Sequence, residues 1–279
     1  IGASIVECAW LADYLSAPDL RVIDATWYLP GENKSAREEF RAAHIPGAVF
    51  FDIDAIADVK SGLPHMLPAP AAFGAAVGAL GIGDGDRVVV YDAHGLYSAA
   101  RVWWSFRAMG HDNIAVLAGG LPLWRAEGRP LAVGDANPIP RRFAARYRPE
   151  LVRDRAQVLS SLQRGNAQIV DARASGRFHA SEPEPRPGVR GGHIPGAKNL
   201  PFATLIDASK GQLRPLPELR AAFAAAGVDP QAPVTLMCGS GITACVLALA
   251  LDQLGQRNYS VYDGSWADWG ARPELPLAR

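Results

Sequence analysis

One cysteine of this chain lies where a thiol can react. Val234-Thr235-Leu236-Met237 reads as a buried strand, Cys238-Gly239-Ser240-Gly241-Ile242-Thr243 as a loop of small residues, and Ala244 to Leu254 as a helix. Cys238 then ends a parallel strand and faces a helix N-terminus, the place where open α/β sheets bind ligands. Gly239 and Gly241 let the backbone turn sharply, so that several N–H groups converge; with the helix dipole these should favour a thiolate and make Cys238 a nucleophile. Against this stands the plain alternative that Cys238 is a small apolar residue ending a core strand. Cys245, amid Ala244, Val246 and Leu247, and Cys8, beside Ala9-Trp10-Leu11, read as core residues. A cysteine-phosphatase loop would place an arginine six positions after the nucleophile, but residue 244 is alanine and no cation occurs from Gly239 to Leu251, so a phosphate dianion would be poorly held.

The elements that must position this loop come from a tandem repeat. His44-Ile45-Pro46-Gly47-Ala48 recurs as His193-Ile194-Pro195-Gly196-Ala197, 149 residues on. Val22 to Ala25 answers Ile169 to Ala172 at an offset of 147, and Gly119 to Trp124 answers Gly264 to Trp269 at 145. A period this long means two copies of a domain rather than a solenoid. In each copy short β-branched runs (Arg21 to Asp24, Arg87 to Tyr91, Ala115 to Leu117; Gln168 to Asp171, Val234 to Met237, Tyr259 to Tyr262) alternate with alanine-rich helical segments (Ala69 to Leu80, Ala99 to Met109; Glu218 to Ala226, Ala244 to Leu254). The order predicts an α/β fold, two domains each with a mostly parallel sheet covered by helices on both faces. Gly81, Gly110, Gly227 and Gly255 suit left-handed helix caps. The expected limits are residues 1–134 for the first domain, 135–149 for a solvated proline- and arginine-bearing linker and 150–279 for the second domain. In the first copy Asp92 falls opposite Cys238, so that half should lack the nucleophile and be structural, with Trp103 and Trp104 buried. His94 beside Asp92 lacks a third ligand for a metal.

Composition narrows the classes. The 279 residues hold 28 Lys plus Arg against 28 Asp plus Glu, a formal net charge of +0, so no global field draws the chain to nucleic acid or an anionic membrane. The longest apolar stretch, around Val246 to Leu251, is far short of a bilayer span, and residues 1–7 do not read as a secretory leader. Three cysteines without a Cys-x-x-Cys pair make neither a disulfide framework nor a zinc site, which leads us to expect a reducing cytoplasm.

The tandem halves, both His-Ile-Pro-Gly-Ala motifs, Asp263-Gly264-Ser265-Trp266 and Cys238-Gly239-Ser240-Gly241-Ile242-Thr243-Ala244 together resemble the rhodanese superfamily and, within it, the 3-mercaptopyruvate sulfurtransferases, over essentially the whole chain. The Gly-Ser-Gly loop is the mercaptopyruvate form, where thiosulfate-using relatives usually carry basic residues. The resemblance implies an enzyme in which Cys238 takes sulfur from 3-mercaptopyruvate as a persulfide, releases pyruvate, and passes the sulfur to thioredoxin, a small thiol or cyanide, with no metal or organic cofactor. It further implies Arg177 and Arg186 as substrate clamps, with Gly239, Gly241, Ile242 and Thr243 forming the sulfur cradle. Without the resemblance, those arginines read as solvated partners of Glu182 and Glu184. Ser240 either donates toward the sulfur or the departing enolate, or is merely a small loop residue. The family's serine relay would recruit His44, yet the duplicate His193 argues that this motif is structural, and Asn33-Lys34-Ser35-Ala36 stands where relatives often have an acid. His65 matches a segment near the family's cleft and equally suits a turn. The alternatives are a thiosulfate sulfurtransferase and a non-catalytic sulfur carrier.

Overall fold

The computed structural model describes residues 1–165, 168–229 and 231–279. The chain forms two compact units, one of Ile1–Asp58, Leu67–Arg148 and Ala208–Gln212, the other of Val59–Met66, Pro149–Asp207 and Leu213–Arg279.

In the first unit the strands are β1 (Ile5–Val6), β2 (Leu20–Asp24), β3 (Ala48–Phe50), β4 (Arg87–Tyr91) and β5 (Ile114–Leu117), and the helices are α1 (Cys8–Tyr14), α2 (Ala36–Ala42), α3 (Pro70–Ala79), α4 (Ala99–Ala108) and α5 (Gly120–Ala126). The sheet runs β1-β5-β4-β2-β3 with every pair parallel. The second unit repeats it with β6 (Val152–Arg153), β7 (Gln168–Asp171), β8 (Lys198–Asn199), β9 (Val234–Met237) and β10 (Tyr259–Tyr262), and with α6 (Arg155–Arg164), α7 (Ser175–Phe178), α8 (Leu216–Ala225), α9 (Ala244–Gln253) and α10 (Ser265–Trp269). Its order is β6-β10-β9-β7-β8, again parallel, so the two units share one topology. Parallel strands sandwiched by helices are apolar on both faces, which is why Val88, Val89 and Val90 are consecutive and all fully buried.

The central strands and the four alanine-rich helices agree with the expected ones to within two residues. Gly81, Gly110, Gly227 and Gly255 all have φ between 69° and 86°, as left-handed caps require. The strands that escaped the sequence reading are short and at or near sheet edges, where two or three residues carry no readable alternation. Among the described residues no helix is long and apolar enough to cross a membrane.

One expectation is corrected. The segment read as a solvated linker is docked along the first unit from Ile139 to Arg148. Arg141 and Arg146 donate backbone N–H groups to the carbonyls of Gly78 and Met109, at 2.8 and 2.7 Å, and the Ala144 N–H reaches Asp84 at 2.6 Å. Phe143 is buried against Phe73, Phe106 and His111, with ring centroids 6.0, 5.6 and 5.4 Å away. Two glycines of α3 explain the close fit: a Cβ at Gly74 or Gly78 would meet the carbonyl oxygen of Phe143 or Arg141 at 2.6 or 2.4 Å. Composition alone suggested solvation because the three prolines and the arginines hide a single anchoring aromatic.

Candidate active site

The loop of interest leaves β9, which lies between β7 and β10 with Met237 in register with Asp171. Cys238, 2% exposed, therefore emerges at the carboxyl edge of the sheet. Its backbone is pinned on both sides. The Cys238 N–H donates to Ser265 Oγ at 3.1 Å, Ser265 Oγ in turn donates to the Tyr262 carbonyl at 2.8 Å, and the Cys238 carbonyl accepts from the Trp266 N–H at 2.9 Å. The next carbonyl, of Gly239, accepts from Ala267 at 2.8 Å. Ser265 has φ +50°, a left-handed conformation that is uncommon for a residue with a side chain and marks a position held by its surroundings.

Beyond Cys238 the chain turns through Gly241, at φ +82°, and enters α9, whose residues Ala244 to Leu251 are all buried. Ser240, Ile242 and Thr243 are also buried in the turn. Cys245 points into the helix packing with its thiol on the Gly241 carbonyl at 3.2 Å. Cys8 is buried far along the chain, and burial, followed by the charge of Glu127, pushes its thiol up to about 11. Both therefore occupy the core positions their neighbours suggested.

A line of alternating charges runs to this loop. Asp171, at the end of β7, receives Arg173 through Nε and Nη2, at 3.0 and 2.6 Å to the same carboxylate oxygen. Arg173 Nη1 bonds Glu184 at 2.7 Å, and Glu184 binds Arg177 through Nη2 at 2.5 Å and Nε at 3.3 Å. Arg173 is fully buried, lying 4.2 Å from the centre of the Trp266 ring. Burial opposes its charge, but Asp171 and Glu184 outweigh that and hold the guanidinium above its ordinary range. The series ends at the Cys238 loop, where Arg177 Nη2 lies 2.9 Å from the point a Cβ on Gly239 would occupy.

Of the residues singled out from the sequence, Cys238, Gly239, Ser240, Gly241, Ile242, Thr243 and Arg177 are thus brought together. Arg186 lies along the proline-rich loop and borders a cavity of about 650 Å³ with His179, Glu182, Glu184 and Arg279, a lining that does not include Cys238. His65 is buried, at φ +60°. His44 and His193 have the same surroundings: each ring nitrogen Nδ1 bonds a carbonyl, of Phe40 at 2.7 Å or Phe178 at 3.0 Å, each ring stacks on that phenylalanine, and each backbone forms a bridge, to Ala132 or Ala278. The duplication is structural, as the repeat suggested. Ser265 and Arg173 escape the sequence reading as parts of the site, whereas the pairing of a loop arginine with Glu184 is the one Arg177 makes. Ser265 had a signal in the repeat, where it falls opposite Gly120.

The equivalent loop of the first unit holds Asp92, fully buried, whose carboxylate accepts from the N–H groups of His94 at 2.9 Å, Tyr97 at 2.7 Å and Ala99 at 2.8 Å.

Comparison with known proteins agrees with this repeat. The chain is 43% identical to thiosulfate/3-mercaptopyruvate sulfurtransferase 1, mitochondrial, of Arabidopsis thaliana over 98% of this chain and 77% of that protein. It is 43% identical to the 3-mercaptopyruvate sulfurtransferase of Homo sapiens over 97% and 94%. The crystal structure of SseA from Escherichia coli, described as a 3-mercaptopyruvate sulfotransferase, superimposes with a TM-score of 0.87 at 40% identity, covering 95% of this chain and 99% of that one. The rhodanese-like domain model matches residues 7–127 and again 154–272, and the chain belongs to the rhodanese family as a tandem of two such domains.

Proposed function

We propose that the protein is a 3-mercaptopyruvate sulfurtransferase that carries sulfur on Cys238. The observation that carries the reading is the placement of Arg177 beside Gly239, which sets a carboxylate-binding cation next to the nucleophile while the loop itself remains neutral. A guanidinium fork matches the carboxylate of mercaptopyruvate. The Cys238 thiolate attacks the substrate sulfur; the S–S bond forms as the carbon–sulfur bond breaks, its electrons leave on carbon as the pyruvate enolate, and the enolate takes a proton to become pyruvate. Amides of the loop from Gly239 through Gly241, Ile242 and Thr243 hold the persulfide anion, and Ser240 is the donor to the departing enolate. Arg186, on the proline-rich loop that follows α7, is a second anchor for the substrate.

A nucleophilic acceptor then removes the outer sulfur, and thioredoxin, a small thiol or cyanide all have the required chemistry. A reducing cytoplasm is supported by three cysteines that are all free. On this reading the unit that holds Cys238 is catalytic, and the unit of Ile1–Asp58, Leu67–Arg148 and Ala208–Gln212 is a domain without nucleophile.

Steady-state kinetics with two donors test the reading. Thiosulfate is a compact dianion whose sulfonate adjoins the sulfur under attack, so it needs positive charge within the loop, where Gly239, Ser240 and Gly241 supply none. The expected kcat/KM for mercaptopyruvate exceeds that for thiosulfate at least about a hundredfold, or ~2.7 kcal/mol. A preference for thiosulfate would overturn the substrate assignment, and absence of turnover with either would favour a sulfur carrier.

A further inference from the structure

We propose that Glu184 and Arg173 are positioning residues for sulfur transfer, which together aim the Arg177 guanidinium at the substrate; this rests on the reading that Arg177 binds the substrate carboxylate. Glu184, its side chain 3% exposed, takes the Nε and Nη2 edge of Arg177 at 3.3 and 2.5 Å. That grip leaves the Nη1 and Nη2 end of the planar fork to receive a second carboxylate. Glu184 is itself held by Arg173, whose fully buried side chain directs its donors to Glu184 at 2.7 Å, to Asp171 at 3.0 and 2.6 Å and to the Gly192 carbonyl at 2.8 Å. Arg173 also lies against the ring of Trp266, whose backbone N–H holds the Cys238 carbonyl. One buried guanidinium thus braces both the cation and the nucleophile.

The first unit shows that the fold itself does not need this arrangement. Asp24 ends β2 as Asp171 ends β7, and the residue two further on is Thr26 in one and Arg173 in the other. Thr26 satisfies its aspartate with a backbone N–H at 2.9 Å and a hydroxyl at 2.5 Å. A buried guanidinium is a costly substitute for a hydroxyl, because desolvating the charges offsets much of their attraction. It stands in the unit that carries the thiol, where the stretch from the strand-end aspartate to the histidine motif is two residues longer and holds Glu184. The formal charges of Asp171, Arg173, Glu184 and Arg177 cancel, so the series adds no net attraction for an anion. What it supplies is the direction in which Arg177 points.

Alkylation of Cys238 in the full-length enzyme tests this. 3-Bromopyruvate and its ethyl ester share the reacting CH2 and the ketone, and with either one the thiolate forms a sulfur–carbon bond as bromide leaves; only the acid presents a carboxylate to Arg177. The acid-to-ester ratio of rate constants at Cys238, followed by peptide mass mapping, compares two reagents on the same folded protein, so changes in stability or in thiol reactivity cancel. Arg177→Ala should lower the ratio at least about tenfold. Glu184→Gln should lower it at least about fivefold and raise KM for mercaptopyruvate with kcat retained. Were Glu184 only a screening charge, its removal would make Arg177 a stronger attractor and raise the ratio. Glu184→Asp, which keeps the charge but falls a methylene short of Arg177, and Arg173→Lys, which keeps the charge but not the fork, should lower the ratio as well, and they decide the matter if the glutamine variant does not fold. Glu184→Gln/Arg177→Ala should stay within about twofold of Arg177→Ala alone. A ratio unchanged or raised in the Glu184 variants would overturn the inference while leaving the carboxylate assignment standing. An unchanged ratio in Arg177→Ala would instead overturn that assignment and the inference with it.

Discussion

The loops at residues 92–99 and 238–244 occupy the same place in two sheets of one topology, yet one centres on a carboxylate and the other on a thiol. Each follows the central strand, and each first carbonyl is held by an N–H of the short helix after the last central strand: Asp92 by Leu121 at 3.0 Å, Cys238 by Trp266 at 2.9 Å. In the first unit the converging amides already grip an anion, the side chain of Asp92 itself. In the second the residue at the centre is a thiol. The two loops thus differ at their first position, where the first unit sets a fixed carboxylate and the second a thiol. The neighbouring strand ends differ in step. Asp171 is paired with buried Arg173, whereas its counterpart Asp24 has Thr26 instead, and burial raises its carboxyl despite the hydrogen bonds from Thr26. Only the second unit extends a charge line from that point to its loop.

The comparison can be broken most severely by writing the first loop's answer into the second. Cys238→Asp should place a carboxylate among the loop amides, reduce sulfur transfer by at least about a thousandfold in an assay of pyruvate release, and keep the unfolding free energy within about 1 kcal/mol of the parent. The converse change empties the first cradle. Asp92→Ala removes the acceptor of the N–H groups of His94, Tyr97 and Ala99, the last of them buried, and denaturant unfolding should show a loss of about 3 kcal/mol. A loss below about 0.5 kcal/mol would mean that the carboxylate is not holding the loop.

A smaller effect probes the docked segment of the first unit. Burial lowers the pKa of His111 beneath its ordinary 6.5. The unfolded chain therefore binds the proton more readily than the folded one, so this contribution to stability is complete above about pH 6.5 and declines as the pH falls toward the folded value. His111→Phe, which keeps a ring against Phe143, should shrink the loss of denaturant midpoint between pH 7.5 and pH 5. An unchanged pH dependence would place the titration elsewhere.

Much of this was legible in the sequence, for identifiable reasons. The central strands and the helices on them follow from β-branched and alanine-rich runs, and matching Tyr91-Asp92 with Met237-Cys238 sets Asp92 opposite Cys238, an equivalence the parallel registers of the two sheets bear out. What stayed hidden depends on contacts between distant segments. Arg173 reads as one of many loop arginines until the fold buries it between Asp171 and Glu184. Ser265 is a small residue near a glycine until its left-handed backbone turns its hydroxyl onto the Cys238 amide. Phe143 is one apolar residue in a polar stretch, and its partners Phe73 and Phe106 lie dozens of residues away. Single residues with remote partners leave no periodic trace.

The central claim is that sulfur is carried on Cys238 and on no other residue of the chain. Intact-mass measurement after exposure to mercaptopyruvate without an acceptor tests it most directly. The parent should gain one sulfur, about 32 Da, removable by cyanide, and peptide mapping should localise it to Cys238; Cys238→Asp should gain nothing, with Cys8 and Cys245 unmodified. An equal mass gain in Cys238→Asp, or a gain mapped to Cys8 or Cys245, would contradict the account.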